Sequence, residues 1–276
     1  MGITFNLAAW HDYERPDPNS PIVACFGDSW LQYPIPGIGN LANRFLDFGK
    51  YQALDIAVLG EIGLEIARPG KSQMMALTTF LQWEGKSVDM LVISGGGNDF
   101  AGADDLFPLL QRGDDNDARS WFKPAETKKL FDGIANGYQN ILHLRNIFCP
   151  QVPIVAHCYD YPQISGKGLL WFSPWILPSL QQIGMPVALH VAAGRYIIDE
   201  LARLHLALQG ADPAQSHYHF IDTRNTLTPV DWSNELHPSR GGFNKLAMKF
   251  FPLFQASFPD WVRPPKWSTA PQQQPR

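Results

Sequence analysis

The chain lacks any apolar run long enough to cross a bilayer. Its most apolar loop, Gly168 to Leu180, is too short and carries prolines, so no transmembrane segment is expected. Met1 to Pro16 contains no Lys or Arg ahead of an apolar stretch, which argues against a secretory signal and for a cytoplasmic location. A mature form of an exported protein would read the same way. Charge is scarce: 17% of residues are Asp, Glu, Lys or Arg, and the formal net charge is −4. With no basic stripe, nucleic acid is excluded as a partner. Only three cysteines occur, Cys25, Cys149 and Cys158. Their odd number and spacing fit buried free thiols in a reducing compartment better than disulfides or a metal site.

Cofactor signatures are missing too. Asp114-Asp115-Asn116-Asp117 has neither the glycine nor the closing glutamate of a calcium loop. His217 and His219 lack an evident third ligand. Ser94-Gly95-Gly96-Gly97 fits neither a dinucleotide-binding nor a phosphate-loop pattern. The Gly-x-Ser-x-Gly elbow of one large hydrolase class is absent. The expectation is chemistry without a metal or an organic cofactor.

What is present is a regular alternation. Apolar runs predict strands at 21–27, 54–59, 88–94, 152–158 and 217–222. Helical patterns lie near 38–48, 61–68, 72–84, 126–147, 186–209 and 241–254. The clearest helix opens at Pro186, with Leu189, Ile197, Leu201, Leu204 and Leu208 at near-helical spacing. Strands alternating with helices predict an α/β protein whose parallel sheet is covered on both faces. The 276 residues, 45% of them hydrophobic, read as one domain over 1–258 and a loose Pro/Gln-rich tail over 259–276. Two long connections, 101–126 and 159–184, follow strand ends and are expected to overhang a site.

The chemistry concentrates at those strand ends. Gly27-Asp28-Ser29-Trp30 breaks the first apolar run, and ligands in open α/β sheets sit just beyond such ends. A serine hydroxyl needs a base to become a nucleophile. His237, in Asn234-Glu235-Leu236-His237-Pro238, is the best available one. Acyl transfer also needs donors aimed at a developing oxyanion. Asn98 offers an amide above the turn Gly95 to Gly97, and Gly60 offers a backbone N–H, with Gly63 as a second option. Trp30, Trp171 and Trp175 are the candidate substrate-binding residues, the latter two in an aromatic cluster on the 159–184 connection.

Gly27-Asp28-Ser29, Gly60, Gly96-Gly97-Asn98-Asp99 and His237-Pro238 stand in the order of the four sequence blocks of the SGNH/GDSL hydrolases, which the chain resembles from about Ile22 to Phe250. The resemblance implies a three-layer α/β/α, flavodoxin-like fold with about five parallel strands. It implies a serine esterase or lipase acting through an acyl-enzyme on a small-molecule or lipid ester. Ser29 would be the nucleophile and His237 the base. The oxyanion hole would comprise Ser29 N–H, Gly60 N–H and the Asn98 amide. A carbohydrate O-deacetylase or a phospholipid acylhydrolase would use the same site. A catalytically silent binding domain is the reading from another class. One position departs from the pattern: the family usually has Asp three residues before the histidine, and here it is Asn234. Asn234 is the positional equivalent, and Asp231, Glu235, Asp222 or a backbone carbonyl are the alternatives for orienting His237. Acyl and alcohol preference and oligomeric state are not encoded in any of these features.

Overall fold

The computed structural model describes residues 2–49, 53–169, 174–210 and 213–268. Six parallel strands form one sheet: β1 (Ile3–Thr4), β2 (Ile22–Gly27), β3 (Asp55–Val58), β4 (Val88–Ser94), β5 (Ile154–His157) and β6 (Tyr218–Ile221), in the order β1-β3-β2-β4-β5-β6. The five longer strands stand where they were expected. The sixth, β1, is a two-residue edge with no apolar run to announce it. Without β1 the order is the flavodoxin-like one, whose winding reverses beside the first core strand. Here the reversal falls between β2 and β4. Every residue of β2 is buried, and in β4 only Asp89 is exposed. Continuous apolar runs of this kind mark strands covered on both faces.

Helices α3 (Leu41–Leu46) and α10 (Arg240–Ser257) pack together, with the Phe45 ring stacked 4.9 Å from Phe254. Helices α4 (Lys71–Glu84), α6 (Pro124–Phe148) and α8 (Val187–Gln209) pack in succession. Together the two groups flank the sheet in a three-layer α/β/α arrangement. In α8 the buried stripe is His190, Ala193, Gly194, Ile197, Ile198, Leu201, Ala202 and His205. It keeps Ile197 and Leu201 of the expected set, while Leu189, Leu204 and Leu208 are only half-buried. Small residues at 193, 194 and 202 let α8 approach closely.

Three expectations need correction. The segment 61–68 is not a helix but a series of turns. Its polar groups are taken by neighbours: Asp99 accepts from the N–H groups of Ile66 and Ala67 (both 2.8 Å), and Asn98 donates to the carbonyls of Ile62 and Leu64 (both 3.1 Å). Groups so engaged do not supply a helical ladder. The connection 101–126 is no open loop. It holds α5 (Ala103–Leu106), two 3₁₀ turns and an antiparallel bridge between Leu110 and Phe122, and it buries Leu106, Leu109, Leu110, Trp121 and Phe122. Finally, residues 259–268 are not part of a loose tail. Val262 is fully buried and the Trp267 indole donates to Asp47 (3.0 Å), so 259–268 packs on the domain. The rest of the expected tail, 269–276, lies outside the described residues.

Ending the chain at Phe258 is therefore expected to destabilise it more than ending it at Ser268. Val262→Ala alone should cost about 2 kcal/mol, the usual size for removing buried methyl groups. Urea denaturation of the three variants checks this. Equal midpoints for the two truncations would mean the packed segment contributes nothing.

Candidate active site

The site grows from the carboxyl end of β2. Asp28 follows the strand and is the N-cap of α2 (Ser29–Gln32), accepting from Trp30 N–H at 3.0 Å. Asp28 also accepts from Ser94 Oγ at the end of β4 (2.9 Å) and from the Tyr159 hydroxyl just past β5 (2.6 Å). Burial pushes its carboxyl pKa up to about 6, against the pull of those donors. The cap fixes Ser29 on the first turn of α2.

Ser29 Oγ lies 2.8 Å from His237 Nε2, and His237 Nδ1 lies 3.1 Å from Asn234 Oδ1. All three residues are buried. The Asn234 amide has one consistent orientation. Its Oδ1 accepts from the N–H groups of Leu236 (3.0 Å) and His237 (2.9 Å), while its Nδ2 donates to the Tyr33 hydroxyl (3.0 Å). An acceptor facing Nδ1 means that Nδ1 carries the proton, which leaves Nε2 free to accept from Ser29. Tyr33 stacks on the imidazole at 4.3 Å, and Trp175 meets it edge-on at 5.5 Å. Burial pushes the His237 pKa down to about 3.

The carboxylates considered for orienting His237 are engaged elsewhere. Asp231 accepts from Thr228 N–H (2.8 Å) and Lys245 Nζ (2.7 Å). Asp222 pairs with Arg224 (2.7 Å). Glu235 is wholly buried and accepts from the N–H groups of Gly166, Trp175, Ile176 and Leu177, at 2.8 to 3.4 Å. It anchors the overhanging connection, a role the sequence did not suggest.

The two glycines near β3 differ sharply. A Cβ on Gly60 would sit 1.7 Å from Gly27 O, so Gly60 packs against the β2 backbone. It does not line the cavity. Gly63 does, with no atom within 4 Å of a built Cβ. Ser29 N–H (3.2 Å) and Asn98 Nδ2 (3.1 Å) both donate to Ile62 O. Two donors thus converge on a single carbonyl oxygen.

Beside Ser29 and His237 opens a cavity of about 300 Å³ with a largely apolar lining that includes Tyr33, Phe100, Trp175, Ile176, Ile198 and Trp232. Trp30 reaches it but is mainly a buttress: it is buried among His157, Tyr159 and Phe243 and donates to Leu236 O (3.0 Å). Trp171 lies outside the described residues. Sequence reasoning missed Tyr33 and Tyr159, which carry no local motif. No cluster of three potential metal ligands occurs among the described residues.

No protein-family model matches the chain, and no curated protein matches it in sequence. Solved structures do match in shape. A lipase from a goat rumen metagenome is 16% identical, with a TM-score of 0.54, covering 88% of this chain and 99% of its own. An extracellular lipase from Streptomyces rimosus is 14% identical (TM-score 0.50), covering 86% of this chain and 100% of its own. A Bacteroides ovatus protein described as a GDSL-like lipase is 13% identical (TM-score 0.51); the match covers 90% of this chain and 56% of that one. The fold is that of the SGNH/GDSL hydrolases.

The electrostatics give a test. The His237 imidazole should stay neutral down to about pH 4, because burial disfavours its charged form and no carboxylate offsets it. Asn234→Asp puts an anion beside Nδ1 and should raise that pKa by roughly 1–3 units. Imidazole ¹⁵N NMR titration reads both values. A native His237 titrating near the ordinary histidine value would refute the account.

Proposed function

We propose that this protein is a serine ester hydrolase working through an acyl-enzyme, with no metal or organic cofactor in the reaction. The observation that supports this reading is the hydrogen-bonded series Ser29–His237–Asn234 at the mouth of an apolar cavity. Ser29 Oγ attacks the ester carbonyl while His237 Nε2 takes its proton. The tetrahedral intermediate collapses, the carbonyl carbon–alkoxide bond breaks, and His237 returns the proton to the leaving alcohol. Water then repeats the sequence and releases the acid. Asn234 holds the imidazole in the required tautomer. Ser29 N–H and Asn98 Nδ2 are the oxyanion donors, since they already meet at one oxygen. Gly63, not Gly60, is the glycine in reach of that point.

The cavity favours an ester with an apolar acyl or aryl group over an acetylated sugar, whose hydroxyls would find few partners on its walls. A silent binding domain is the weaker alternative, because it has no use for a histidine held in general-base geometry against a serine.

Ser29→Ala should abolish both ester turnover and labelling by a fluorophosphonate, with the fold intact by circular dichroism. Retained turnover would remove Ser29 as nucleophile. Asn98→Ala should lower kcat by about 10²–10³ with a smaller effect on KM; a change in KM alone would make Asn98 a substrate contact. Trp175→Ala should reduce kcat/KM for p-nitrophenyl hexanoate while sparing the acetate. If both esters lose equally and Tm falls, Trp175 is packing and not a wall for the acyl group.

A further inference from the structure

Ile62 and Gly63 are the central residues of a β-turn closed by Leu64 N–H donating to Glu61 O at 3.0 Å. Neither central residue has a positive φ. Types II, I′ and II′ each require one at a central position, so the turn is type I. In this form the Ile62 carbonyl takes the hydrogen bonds of Ser29 N–H and Asn98 Nδ2. The second Asn98 amide hydrogen goes to Leu64 O (3.1 Å). Both donors that an oxyanion needs are thus occupied by the protein's own backbone.

Type I and type II turns differ by rotation of the central peptide, which changes ψ of the first central residue and φ of the second. The closing hydrogen bond survives that rotation. Type II calls for a positive φ at the second central position, which glycine adopts without penalty. That position is Gly63, and it has open space around it. Rotation would swing Ile62 O away from Ser29 and bring Gly63 N–H toward the vacated point.

We propose that the Ile62–Gly63 peptide is a two-position switch on the oxyanion hole: closed in the type I turn, where Ile62 O fills it, and open in the type II turn, where Gly63 N–H joins Ser29 N–H and Asn98 Nδ2. The proposal rests on the ester-hydrolase reading above. Opening gives up two neutral hydrogen bonds. A developing oxyanion replaces them with charge-assisted ones, roughly twice as strong. The open state is therefore favoured most when charge develops on the substrate, so the switch stabilises the transition state more than the bound ester.

Three proteins test it: wild type, Gly63→Ala and Gly63→Asn. The closed turn accepts alanine, so Tm should hold or rise. The open turn forces alanine to a positive φ, so kcat/KM and the rate of fluorophosphonate labelling should fall about 5–30-fold. Asparagine tolerates positive φ better than alanine and should fall between the two. A steric effect would give the reverse order, because asparagine is larger. A crystal structure of the wild-type phosphonate adduct should show Gly63 at positive φ and Ile62 O turned from Ser29. Equal labelling of all three proteins, or an adduct that keeps the Ile62 bonds to Ser29 and Asn98, overturns the switch and leaves the hydrolase reading standing. A wild-type protein that is not labelled at Ser29 overturns both.

Discussion

A buried carboxylate holds the site together. Asp28 accepts from Trp30 N–H, Ser94 Oγ and the Tyr159 hydroxyl, and so ties together the ends of β2, β4 and β5. The Tyr159 hydroxyl in turn accepts from Gly97 N–H at 3.2 Å, one residue before Asn98. Ser29 and Asn98 come from different strands, yet a single hydrogen-bonded path through Asp28 and Tyr159 sets their spacing. Tyr159 meets this geometry at a positive φ of 66°, which is unfavourable for a tyrosine. Three strand ends that share one acceptor cannot shift independently. Ser29 and Asn98 are thus positioned by the sheet, whereas the turn at Ile62–Gly63 lies outside the path through Asp28 and Tyr159.

A second anchor works from the opposite side. Asn234 faces His237, while the neighbouring Glu235 binds the N–H groups of Trp175, Ile176 and Leu177 at the start of α7 (Leu177–Gln182). A carboxylate among clustered backbone N–H groups is a favourable way to bury charge. The result is mechanical. The dipeptide that orients the imidazole also fixes the aromatic connection above it. Cavity wall and imidazole are therefore held in register, and the ring contact between Trp175 and His237 follows from that shared attachment.

The core strands were legible because a doubly covered parallel strand is a continuous apolar run, and glycine or aspartate marks where β2 and β4 stop. The positions of Ser29 and Asn98 followed from those boundaries, and that of His237 from the segment Asn234–Pro238 ahead of the last helix. What escaped was set by long-range contacts. The stretch 61–68 has helix-compatible residues, yet Asn98 and Asp99 claim its backbone. Gly60 is preferred to Gly63 in sequence, and the two separate only once Gly60 is seen against Gly27. Tyr33 and Tyr159 act through hydroxyls aimed at residues more than 100 positions away. The tail misled because its proline content disguised Val262 as linker.

The neutral Asn234 then raises the question of how much base the site retains. In a serine-protease triad, replacing the aspartate by asparagine costs about 10⁴ in turnover because the imidazole is left in the wrong tautomer. That cause is absent here. Asn234 presents Oδ1, not its amide nitrogen, because two backbone N–H groups and the Tyr33 hydroxyl fix its orientation. The tautomer is correct, and what is missing is the negative charge. Tyr33, stacked on the ring, and Trp175, edge-on to it, are the aromatic neighbours that an imidazolium at His237 would meet. A cation over a desolvated aromatic face gains about 2 kcal/mol, less than a hydrogen-bonded carboxylate would supply. The balance describes a base that is correctly posed but weak. In the proposed hydrolase, a base whose proton affinity is lowered by burial would work to more acidic pH, at the expense of the driving force for removing the serine proton.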